Sequence, residues 1–189
     1  FGVPVTKVVY DALQVAQSLT GTCAASLVEA CMPSLSTGQI TSLYTQSPQN
    51  WTAVAGITIA GGGNAVFVAR RVDTSGTQKT YEALIGRTVN GNAAGKSCQS
   101  NNVDSFVSGP EAIDNVAATT LCNGTNGVVN NSGSGQVATC LNVHQAAGRG
   151  AVGTLTTETV TSAAGNFRFV KVNGLAPTAA NLKTGAYTT

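Results

Sequence analysis

The stretch "VFVARRVDTSGTQKTYEALI" (66–85) decides the fold. Its first six residues, "VFVARR" (66–71), are apolar and β-branched and read as a strand. Ser75 followed by Gln78 is the spacing of a capping box, and Tyr81, Leu84 and Ile85 recur behind it at helical intervals. Only a tight turn fits between strand and helix. A helix that opens Ser-Gly-Thr also presents unpaired backbone N–H groups at the positive end of its dipole, which is a ready site for an anion. Gly76 carries no Cβ, so an oxyanion can approach the backbone closely. Ser75 and Thr77 add hydroxyl donors, and Arg71, four residues before Ser75, offers a charge-assisted fork. Asp73 then either orients and partly neutralises Arg71 or accepts a hydrogen bond from a protonated oxyanion. A serine at a helix start is equally a plain cap, so these residues alone leave a capped helix and an anion cradle both open.

Working outward, "FGVPVTKVVY" (1–10) reads as a strand and "DALQVAQ" (11–17) as a short helix. Ser36 with Gln39 repeats the capping-box spacing, and Ile40, Leu43 and Tyr44 share one helical face. "NWTAVAG" (50–56) is a turn or short helix bearing the only Trp, and "ITIA" (57–60) alternates as a strand. The stretch 90–134 is rich in Asn, Gly and Ser and predicts a loop-rich insertion with one helix near "PEAIDNVAA" (110–118). "GQVATCLNVHQAAG" (135–148) places Val137, Cys140 and Leu141 on a helical face, and strands follow in "GAVGTLTTE" (150–158) and "FRFVKVNG" (167–174). Strands alternating with helices predict an α/β fold, a mainly parallel open sheet with helices on both faces. The 189 residues fit one domain, 1–189.

Composition narrows the function classes. Ala, Gly, Thr, Ser, Asn and Val dominate and only 10% of residues are charged, a texture common among exported proteins. A net charge of +2 without a basic cluster argues against a nucleic-acid partner. The longest apolar runs fall far short of the ~20 residues of a spanning helix, so no membrane insertion is expected. The chain opens at Phe1, as a processed mature chain or an excised piece would. Its five cysteines, Cys23, Cys31, Cys98, Cys122 and Cys140, form no C-x-x-C, and with His144 as the sole histidine they favour disulfides in an oxidising compartment over zinc. The pairing stays open: Cys140 is a buried free thiol or a partner of Cys98 or Cys122. His144 reads as a helix-face residue near the core rather than a base. No G-x-S-x-G elbow, paired-carboxylate signature or P-loop is present, so neither an enzyme nor a cofactor is expected.

Four segments, in order, carry a resemblance. "PSLSTGQITSLYTQSPQNWTAVAG" (33–56), "RRVDTSGTQKTYEAL" (70–84), "GRGAVGTLTTE" (148–158) and "VNGLAPTAANLKTGAY" (172–187) resemble the second, central lobe of the periplasmic phosphate-binding proteins of ABC uptake systems, in the type 2 periplasmic binding protein superfamily. The second of them is similar to that family's Arg-x-Asp-x-Ser-Gly-Thr ligand segment, with Tyr81 where Phe is usual. The resemblance implies one lobe of a two-lobe fold, periplasmic or secreted. It implies phosphate held by Arg71, Ser75, Gly76 and Thr77 with Asp73 as the partner of Arg71, and a missing first lobe and an ABC permease as partners. The rival expectation is a secreted structural or protein-interaction domain that keeps the fold without the ligand.

Overall fold

The computed structural model describes residues 1–189 apart from 25, 46–48, 62, 85–105, 160, 162–164, 185–186 and 188–189. The chain opens with β1 (Val3–Thr6), which passes directly into α1 (Lys7–Ala16), so the predicted strand 1–10 ends where Lys7 begins the helix. β2 (Ser34–Leu35), α2 (Thr37–Thr45) and α3 (Trp51–Ala55) follow. The Ser36 cap of α2 is a complete capping box: Gln39 N–H donates to Ser36 Oγ at 3.1 Å, and Ser36 N–H donates to Gln39 Oε1 at 2.8 Å. Asn50 caps α3, and Gly56 ends it in the left-handed conformation at φ 66°, where a side chain would be strained.

The predicted strand 57–60 does not form. Ile57 and Ile59 are buried, but their backbone groups are satisfied locally: Thr52 Oγ1 donates to Ile57 O and Ile59 N–H donates to Asn64 Oδ1. β3 (Phe67–Arg71) and α4 (Gly76–Leu84) form as the opening stretch predicts. Beyond 105, the stretch expected to be loop-rich with one helix near 110–118 carries that helix as α5 (Asn115–Asn123), together with the unforeseen strands β4 (Glu111–Ala112) and β5 (Val128–Asn131), while 90–105 lie outside the described residues. α6 (Ser134–Ala146), β6 (Ala151–Gly153), β7 (Phe167–Val172) and α7 (Ala179–Lys183) complete the chain.

The seven strands form one sheet in the order β2-β7-β1-β6-β3-β5-β4. β1 runs antiparallel to both of its neighbours, and the other pairings among the described residues are parallel. Alternation of side chains along the strands splits the core in two. Val3, Val5, Val68, Val152 and Val170 meet α1–α4 through Leu13, Ile40, Leu43, Trp51 and Tyr81. Ala69, Val129, Ala151 and Phe169 meet α5 and α6 through Ala118, Val137 and Leu141. Each buried aliphatic of this kind contributes about 1.5–3 kcal/mol. Gly153 lets α6 lie close, since a Cβ there would stand only 3.1 Å from a Val137 methyl.

Among the described residues two disulfides are present, Cys23–Cys31 and Cys122–Cys140. The second joins α5 to α6 within the core, so Cys140 is not a free thiol, and its partner is Cys122 rather than Cys98. Cys98 lies outside the described residues.

Because β3, β4 and β5 are adjacent, parallel and each followed at once by a helix, the starts of α4, α5 and α6 line up along one edge of the sheet. Open α/β sheets hold ligands at this edge, beyond the carboxyl ends of their strands.

Candidate functional site

The two arginines that end β3 face opposite sides of the sheet. Arg70 is 1% exposed. Its guanidinium donates to Val107 O at 2.9 Å, to Arg71 O at 3.2 Å, to Glu82 Oε1 at 3.2 Å and to Asp73 Oδ1. It therefore ties β3 to α4. The expected Asp73–Arg71 pair does not form, because strand alternation turns Arg71 to the other face and Asp73, at the start of the turn, meets Arg70 instead.

Arg71 reaches across to the β5–α6 turn. Nε donates to Asn131 O at 3.2 Å, Nη2 to Ser132 O at 2.8 Å and Nη1 to Ser134 Oγ at 3.2 Å. A guanidinium has five N–H donors, so these contacts leave two unspent. No carboxylate among the described residues pairs with it. Partial burial lowers its pKa from the ordinary value, yet a guanidinium stays charged at neutral pH.

The other described arginines are compensated. Arg70 and Arg168 pair with acids, and Arg149 donates to the carbonyls of Cys122, Asn123 and Gly124 at the negative end of α5. The Arg71 guanidinium instead meets Ser134 at the start of α6, the positive end of a helix dipole.

At the start of α4, Ser75 is 8% exposed and its Oγ accepts from Gln78 N–H at 3.4 Å. The capping box is only half made, because Gln78 Oε1 accepts from Arg71 N–H at 3.2 Å and Ser75 N–H goes to Val72 O. The N–H groups of Gly76 and Thr77 have no partner among the described residues. A Cβ at Gly76 would meet nothing within 4 Å, and its φ is not positive, so neither crowding nor backbone conformation asks for glycine there. The space beside Gly76 is open.

The structure thus places Ser75, Gly76 and Thr77 at the α4 start, turns the Arg71 guanidinium to the β5–α6 turn, and assigns Asp73 to Arg70. Sequence reasoning missed Asn131, Ser132 and Ser134, the acceptors that hold Arg71. Their signal was "NNSGSGQ" (130–136), which repeats the polar-turn-into-helix pattern of 73–78.

His144 is 1% exposed, stacked 4.6 Å from the Phe67 ring, and burial together with the Arg149 charge lowers its pKa to about 4. It is a core residue. Among the described residues no cluster of His, Cys, Asp or Glu could hold a metal, and no helix is long and apolar enough to cross a membrane.

The chain is similar in structure to a protein from Clostridium perfringens assigned as a phosphate ABC transporter substrate-binding protein and crystallised with bound phosphate. The TM-score is 0.54 at 17% identity, and the match covers 100% of this chain and 51% of that one. This chain therefore spans about half the length of the protein it matches. No protein-family model matches the chain, and no curated protein matches it. At that identity the likeness establishes the fold alone, a mixed α/β arrangement around one sheet.

Proposed function

We propose that this chain is the second lobe, a single domain over 1–189, of an exported two-lobe solute-binding protein whose ligand is a tetrahedral oxyanion, phosphate first among them. The ligand contacts are Arg71, Ser75, Gly76 and Thr77. The observation that carries this reading is Arg71 itself: a cation without an acid partner among the described residues, with two spare N–H donors, on the strand that leads into α4, whose Gly76 and Thr77 N–H groups have no partner among the described residues. The fold shared with a protein that was crystallised with phosphate supports it. The resemblance of 70–84 to a phosphate-binding segment points the same way.

A phosphate leaves water only if most of its oxygens find donors, and one lobe supplies part of the set. The remaining donors belong to a first lobe, and delivery of the anion to an ABC permease completes the role. Calorimetric titration of the intact two-lobe protein with phosphate and sulfate tests the reading, with Arg71→Ala alongside. Binding that Arg71→Ala abolishes is the expected result, and equal binding by both proteins would sink it.

A second reading, a protein-interaction domain, draws on Ile113 and Val116, large apolar side chains 70% and 76% exposed near the start of α5. It predicts a stable complex or oligomer without anion, which sedimentation of the chain in anion-free buffer would detect.

A further inference from the structure

We infer that Ser134 is a positioning residue for the anion-binding arginine, and that the β5–α6 turn does for Arg71 what a carboxylate would otherwise do. The inference rests on the oxyanion reading of Arg71.

A flexible guanidinium that is to grip an anion must be held in place before the anion arrives, or ordering it subtracts from affinity. An acid holds an arginine well but cancels the charge the anion needs. Here the acid that the local sequence offers, Asp73, is taken by Arg70, which also binds Glu82. Arg71 is fixed instead by three neutral acceptors, Asn131 O, Ser132 O and Ser134 Oγ. Two of these are backbone carbonyls set by the pairing of Arg71 with Asn131 in the sheet register. The Asn131 side chain is fully buried and donates to Arg70 O and Val129 O at 3.0 Å, which locks that register.

The third acceptor is the one side chain in the set. Ser134 is the first residue of α6, and its hydroxyl accepts from Arg71 Nη1 at 3.2 Å. The outcome is a guanidinium held in one pose with its charge intact. Such a clamp responds to the charge and shape of the anion, and the guanidinium itself offers no acceptor for a phosphate proton.

The test uses the full disulfide-bonded chain and its Ser134→Ala, Ser134→Thr, Ser134→Asp and Arg71→Ala variants. Without ligand, ¹⁵N NMR of the Arg71 side chain reads rotation of its Nη groups. Rotation hindered in the parent and in Ser134→Thr but fast in Ser134→Ala is the expected result, and unchanged rotation in Ser134→Ala overturns the inference. Titration with inorganic phosphate and with sulfate follows, in the chain and in the intact protein. Ser134→Ala should weaken both anions about tenfold, the loss of one hydrogen bond to a charged group, with Thr restoring them.

Ser134→Asp separates positioning from folding. A carboxylate at a helix start raises the unfolding midpoint by roughly 1–4 °C, while its ion pair with Arg71 abolishes anion binding. Stability up with binding lost supports the inference; binding retained by Ser134→Asp overturns it. If Arg71→Ala loses binding and Ser134→Ala does not, the inference fails and the oxyanion reading stands. If Arg71→Ala binds like the parent, the oxyanion reading fails, and the inference falls with it whatever the NMR shows of Ser134.

Discussion

Arg70 and Arg71 are neighbours on β3 with opposite partners: the Arg70 guanidinium is sealed against Glu82 and Asp73 on one face of the sheet, and the Arg71 guanidinium rests on the neutral β5–α6 turn on the other. The first arrangement stabilises the fold and the second keeps a charge available. Substituting each to alanine should therefore separate the two roles. Arg70→Ala leaves the buried Glu82 without its guanidinium and should cost about 3 kcal/mol in urea unfolding. Arg71→Ala should cost about 1 kcal/mol or less, because Asn131 O keeps the Val72 N–H as its donor and Ser132 and Ser134 are only half-buried, yet it should remove anion binding. Equal destabilisation by the two would contradict this division.

Gly76 gives a sharper separation. Its Cβ position is empty space and its φ is not positive, so Gly76→Ala should leave the unfolding midpoint unchanged or raise it, with a gain of up to about 1 kcal/mol. The added methyl stands beside the unpaired N–H groups at the start of α4 and should weaken oxyanion binding. A variant that binds as well as the parent would show that the anion does not approach α4 at this point.

The elements that carry the candidate site were legible in the sequence because β3 and α4 announce themselves by pattern: a β-branched run, then serine and glutamine at capping distance, then apolar residues at helical spacing. Capping and helical spacing likewise located α2 and α6, while 50–56, read as a turn or a short helix, is the helix α3. They failed where tertiary contacts decide. Val128–Asn131 is a strand because β3 and β4 flank it, although its composition resembles a loop. Ile57 and Ile59 look like strand residues, but side chains of Thr52 and Asn64 satisfy their backbone. Asp73 lies within reach of both arginines by sequence, and only the alternation of β3 settles which one it meets.

The two disulfides should differ in their response to reductant. Cys122 and Cys140 are fully buried between α5 and α6, whereas Cys23 is partly exposed. Mild reductant with alkylation and mass spectrometry should open Cys23–Cys31 first and leave Cys122–Cys140 closed until the chain unfolds. The double variant Cys122→Ala, Cys140→Ala removes an 18-residue cross-link and should lose about 3 kcal/mol. Simultaneous opening of both bridges in the native chain would contradict the packing described for α5 and α6.

Stability should fall as the pH drops below about 6.5, and His144 should account for much of it. Burial and Arg149 hold its pKa to about 4 in the fold, against 6.5 for the free side chain. Between those values the unfolded chain binds a proton that the folded chain refuses, so acidification favours unfolding. The contribution of neutral His144 is thus present above pH 6.5 and lost progressively towards pH 4, on the order of 3 kcal/mol in all. His144→Phe keeps the ring against Phe67 and removes the titrating group. Urea midpoints measured between pH 7 and pH 4 should decline less steeply in His144→Phe than in the parent. Parallel declines would mean that His144 is protonated in the fold as readily as in the unfolded chain, and that its buried ring nitrogen has found a partner.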